Sequence, residues 1–79
     1  MHTTYIFKEK KINPCFVKAN IFLIATFKET LTNSIDKNKT LEMLWKSKLH
    51  ATLVKCDGYY TKIVFDSYND FVLFNLKFN

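Results

Sequence analysis

The only glycine in the chain, Gly58, follows Asp57 and separates two runs of β-prone residues, ATLVKC (51–56) and YYTKIVF (59–65). Asp-Gly suits a two-residue type I′ turn, because both central positions need positive φ, which Gly adopts freely and Asp tolerates. A two-residue loop also sets the register of the strands it joins. It places Cys56 opposite Tyr59, Lys55 opposite Tyr60, Val54 opposite Thr61 and Leu53 opposite Lys62. An antiparallel hairpin is therefore the fixed point around which the rest of the chain must fold.

Elsewhere the punctuation is sparse, with Pro14 the only proline, so element boundaries come from periodicity. Thr3 to Lys8 reads as a short strand, and Asn13-Pro14 as a turn. From Cys15 to Phe27 every odd position is apolar, which favours a second strand over a helix. A 3.6-residue spacing through Phe16, Asn20, Leu23, Phe27 and Leu31 is the competing pattern. KETLTNSIDKNK (28–39) reads as a loop. In TLEMLWKSKLH (40–50), Leu41, Leu44, Trp45 and Leu49 share one helical face, Thr40 is a candidate N-cap, and Glu42 stands four residues before Lys46. After the hairpin, Tyr68-Asn69 reads as a second turn leading into a last strand, DFVLFNLKFN (70–79). The expected fold is a single α+β domain over residues 1–79, in the order β-β-α-β-β-β, with one helix packed on a mostly antiparallel sheet.

Uninterrupted alternation through this meander divides its side chains between two faces. Thr52, Val54, Cys56, Tyr59, Ile63, Phe65, Val72, Phe74, Leu76 and Phe78 are expected on the core side, with Cys56 acting as a small buried hydrophobe. The outer face then carries Lys55, Tyr60 and Lys77 in a cross-strand row, with Lys62 and Asn75 beside it. Its far end is apolar, with Leu49, Val64, Phe71 and Leu73.

Seventy-nine residues, 48% of them hydrophobic, suffice for one small core. The formal charge is +5 and all twelve basic residues are lysine. A Lys-, Asn-, Ile- and Phe-rich chain without arginine looks like the product of AT-rich coding. It also lacks the side chain best suited to bidentate recognition of guanine or phosphate. Nucleic-acid binding would then rest on phosphate contacts, with Lys55, Lys62 and Lys77 meeting phosphates while Tyr60 stacks on a base.

Catalysis has little to stand on. His2 and His50 are the only neutral-pH acid or base groups, there is no phosphate-binding glycine loop, and Cys15 and Cys56 lack zinc-site spacing. No cofactor and no metal are expected. Two distant cysteines fit a reducing compartment. The apolar run 15–27 is too short for a membrane span and contains Lys18 and Asn20, so a cytoplasmic protein that does not enter a membrane is expected.

The function expected on these grounds is a small non-enzymatic binding protein, a phage-like inhibitor or adaptor that docks on a protein partner through Phe71 and Leu73. A nucleic-acid-binding module using Lys55, Tyr60, Lys62 and Lys77 is the alternative. A small ribonuclease-like toxin using His50 stands third. The last strand, 74–79, offers an edge for a homodimer.

Overall fold

A computed structural model describes all residues, Met1–Asn79. The chain runs β1 (His2–Tyr5), β2 (Phe7–Lys8), β3 (Lys11–Ile12), α1 (Pro14–Thr26), α2 (Lys28–Thr32), α3 (Lys37–Leu49), β4 (Ala51–Cys56), β5 (Tyr59–Phe65) and α4 (Tyr68–Phe78). It is an α+β protein with an antiparallel sheet. The sheet has the order β1-β5-β4, so β1 supplies the third strand; β2 and β3 form a separate two-stranded hairpin.

The Asp57-Gly58 turn forms as the sequence requires, with φ of 53° and 83°. Cys56 pairs with Tyr59 and Lys55 with Tyr60. One step further the register shifts: Val54 pairs with Lys62 and Leu53 with Ile63, which leaves Thr61 as the extra residue of a β-bulge. The bulge is held from both sides. Thr61 Oγ1 donates to the Val54 carbonyl at 3.4 Å, and the Thr61 carbonyl accepts from Ile6 N–H at 2.9 Å.

A one-residue slip exchanges the faces of a strand, and the bulge corrects the expected core accordingly. Ala51 and Leu53 are buried with Ile63 and Phe65, whereas Thr52 and Cys56 are exposed and Val54 is only partly covered. Cys56 is thus an exposed thiol. Cys15 is the buried one, and the two are unpaired.

Residues 14–26 are helical, against the expectation of a strand. Asn13 is the N-cap, its side-chain oxygen accepting from Cys15 N–H at 2.9 Å, and Pro14 occupies the first turn, where its missing N–H costs nothing. The 3.6-residue pattern is the one that operates: Phe16, Leu23 and Leu31 are buried, and Phe27 packs against the core. Asn20, on the same stripe, accepts from the Trp45 indole N–H at 3.2 Å. Residues 28–32 add a short helix in what reads as a loop. Helix α3 begins earlier than expected, capped by Asp36, whose carboxylate accepts from Lys39 N–H. Leu44 and Trp45 are buried, with Leu41 and Leu49 packed beside them, as its amphipathic pattern requires.

The last element is also a helix. Ser67 caps it, accepting from Asp70 N–H at 3.2 Å while its hydroxyl meets the Asp70 carboxylate at 2.8 Å. Phe71, Phe74 and Phe78 form its inward stripe. The C-terminal edge strand does not exist, so dimerisation through it is ruled out by the geometry of α4.

All fourteen buried residues belong to one cluster. On the sheet they are the inward-facing Ala51, Leu53, Ile63 and Phe65; no outward residue of β1, β4 or β5 is among them. The helices therefore cover one face of the sheet only. Trp45 sits at the centre, 5.5 Å from the Phe16 ring and 5.8 Å from the Phe74 ring, joining α1, α3 and α4.

Candidate functional site

The four residues expected to form a single basic-aromatic surface are distributed over three locations. Lys55 and Tyr60 remain cross-strand neighbours, but the bulge turns them towards α3. There Tyr60 Oη donates to Glu42 Oε2 at 3.1 Å, Lys55 Nζ lies 3.7 Å from the same oxygen, and Lys55 stands 5.0 Å above the Tyr60 ring. Burial, the hydrogen bond to Glu42 and the negative charge of Glu42 push the Tyr60 pKa up to about 12. A ring fixed by a carboxylate and capped by a lysine is not free to stack on a base. Glu42 was missed as a participant because the sequence pattern paired it with Lys46, which bonds Asp66 at 2.6 Å instead.

Lys62 lies on the opposite, uncovered face, 5.7 Å from the Tyr5 ring. Rows across the three strands there read Thr3, Val64, Thr52 and Tyr5, Lys62, Val54. Tyr59 is exposed near the turn. None of these side chains is acidic. Tyr5 also borders a cleft of about 560 Å³ together with Lys8, Glu9 and Lys11 of the β2–β3 hairpin. A basic-aromatic surface therefore exists on this sheet, built from Tyr5, Tyr59 and Lys62. Locating it from sequence would have required the bulge and the β1–β5 pairing.

Lys77 is on α4 and belongs to no strand row. Its ammonium stands 4.3 Å from the Phe22 ring centroid and 5.6 Å from that of Phe78. The two expected apolar contacts divide as well. Phe71 is engaged internally, with ring centroids 3.9 Å from His2 and 5.5 Å from Phe65. Leu73 is exposed and borders a shallow cleft with Lys48, His50 and Lys77. His50 is the left-handed C-cap of α3, its carbonyl accepting from Asp66 N–H.

Exposed apolar side chains occur on several elements, among them Leu73 and Leu76 of α4 and Ile35 ahead of α3, and α1 carries three of them. Ile21 is 62% exposed, Ile24 45% and Phe22 37%. Phe22 packs edge-on against Phe78 at 5.6 Å, which links this patch to α4. Helix α1 is apolar nearly all round, and one stripe fills the core while the other faces outward. Lys18, Lys28 and Lys77 flank the outward stripe, and none of them is in an ion pair.

No family model matches the chain, and no curated protein or solved structure matches it either. No helix is long and apolar enough to cross a membrane.

Proposed function

We propose that this chain is a small non-enzymatic binding protein of the inhibitor or adaptor type, which docks on a protein partner through the outward stripe of α1. The observation that carries this reading is the exposure of Ile21 and, one turn on, Ile24, with Phe22 on the other flank of Ile21, on a helix whose opposite stripe is already buried. Contiguous apolar surface framed by charge is characteristic of docking sites, where a few large side chains supply most of the affinity. The framing lysines favour a partner with an acidic rim.

Capture from a lysate of the source cells, with and without nuclease, tests the reading. A protein should be retained after nuclease treatment and lost with Ile21→Glu, whose affinity should fall about tenfold or more. Retention by the variant equal to the parent would refute docking through α1.

A second reading is supported by Tyr5, Tyr59 and Lys62 on the uncovered sheet face. That face could hold a single strand of nucleic acid by stacking and phosphate contact. In that case Tyr5→Ala with Lys62→Ala would abolish oligonucleotide binding, and affinity would fall steeply with salt. Lys55→Ala would leave it unchanged.

A further inference from the structure

One concavity adjoins the outward stripe of α1. Where α1 ends, Ile24, Leu31 and Leu41 form the apolar floor of a groove of about 330 Å³, and Lys28 and Lys37 stand at its edge. The groove is built from three helices. Leu31 is buried, Leu41 packs against the core, and Ile24 reaches it from the outward stripe of α1.

Its charge is unbalanced. The two ion pairs in the molecule are Lys46 with Asp66 and Lys55 with Glu42, so neither Lys28 nor Lys37 is in an ion pair, and no acidic residue lines the groove. No acidic residue lies in the first turn of α3, where Lys37 and Lys39 stand although the helix dipole is already positive there. Asp36, the neighbouring carboxylate, is turned to the N–H of Lys39 at 3.1 Å. An apolar floor with two lysines outside any ion pair at its edge is complementary to a large apolar side chain with carboxylates close beside it.

The groove also continues the docking stripe, because Ile21 lies one helical turn before Ile24. We propose that it anchors an acidic amphipathic helix of the partner, which places one apolar side chain over Ile24, Leu31 and Leu41 and sets its carboxylates against Lys28 and Lys37. The next turn of that helix lies on Ile21. This proposal rests on the docking reading above and specifies the partner's chemistry.

The test uses two fluorescent helical peptides with identical apolar spacing, one flanked by Glu and the other by Lys, together with decanoate as a small amphiphile. The acidic peptide should bind and shift the methyl resonances of Ile24, Leu31 and Leu41. The double variant Lys28→Glu, Lys37→Glu changes only exposed side chains. It should weaken the acidic peptide about tenfold and reverse the preference between the two, with a melting temperature equal to the parent's or slightly above it, since acidic residues suit helix N-termini. Equal binding of both peptides, no binding of either, or an unaltered preference in the double variant would overturn the proposal. Decanoate shifting these methyls while neither peptide does would also overturn it and assign the groove to a small amphiphile. If Ile21→Glu abolishes partner capture while the double variant leaves it intact, docking through α1 stands and the groove does not take part.

Discussion

The molecule contains two hairpins that turn on two left-handed residues each, and they are built in opposite ways. The β4–β5 turn uses Asp57 and Gly58, while the β2–β3 turn uses Glu9 and Lys10 at φ of 52° and 66°. A non-glycine residue in this region costs about 1 kcal/mol or more, and the second hairpin meets that cost twice with strands of only two residues. It persists because its ends are tied down. Ile6 N–H donates to the Thr61 carbonyl, Asn13 N–H donates to the Ile6 carbonyl at 2.6 Å, and the Asn13 side chain reaches the Tyr5 carbonyl while capping α1. Ile6 itself is buried in the core. One hairpin is therefore specified by its turn residues and the other by its surroundings.

That contrast predicts where each hairpin breaks. Ile6→Ala removes the buried anchor and should destabilise the fold by about 3 kcal/mol, with the loss visible in chemical denaturation and in early amide exchange across residues 6–13. Equal protection of both hairpins in this variant would contradict the dependence of β2–β3 on the core. Gly58→Ala meets no neighbouring atom, so its cost is backbone strain alone, about 1 kcal/mol. A melting temperature equal to the parent's would show that the turn does not hold its left-handed geometry. Lys10→Gly should act in the opposite direction and stabilise by roughly 0.5 kcal/mol, since the relief of strain exceeds the entropic cost of glycine by a small margin.

The smallest effect concerns how the β4–β5 hairpin is attached to the helices. Spectrophotometric titration should show tyrosinate forming at about pH 12 from Tyr60, a component absent in Tyr60→Phe and shifted downward in Glu42→Gln. The raised value favours the protonated phenol in the folded state. Stability from this contact is therefore complete below about pH 10 and is lost as pH rises through about 12. A titration identical in parent and Glu42→Gln would separate Tyr60 from α3.

Sequence legibility followed the same division. The Asp57-Gly58 turn and the helix around Trp45 were legible because local chemistry and pattern agreed there. For residues 15–27 and 70–79, apolar residues fitted both a period of two and a period of 3.6, and the capping residues decide between them. Asn13 before Pro14, and Ser67 three residues before Asp70, are helix starts that also read as turns. The candidate surfaces were less legible still. Lys55, Tyr60, Lys62 and Lys77 lie on one face only if the alternation is unbroken and the last element is a strand, and the bulge at Thr61 and helix α4 remove both conditions. Ile21, Phe22 and Ile24 could be recognised as exposed only once α1 was known to be a helix with its other stripe buried.

The position of Trp45 gives the molecule an internal optical reporter. As the only tryptophan, fully buried and with its indole N–H held by Asn20, it is the sole source of indole fluorescence. Its emission comes from the point where α1, α3 and α4 meet. Loosening of any of these helices should move the emission to the red, whereas fraying confined to the β2–β3 hairpin should leave it unchanged. A partner that settles on the outer stripe of α1 without disturbing the core would be optically silent, and one that pries the helices apart would reveal itself by colour.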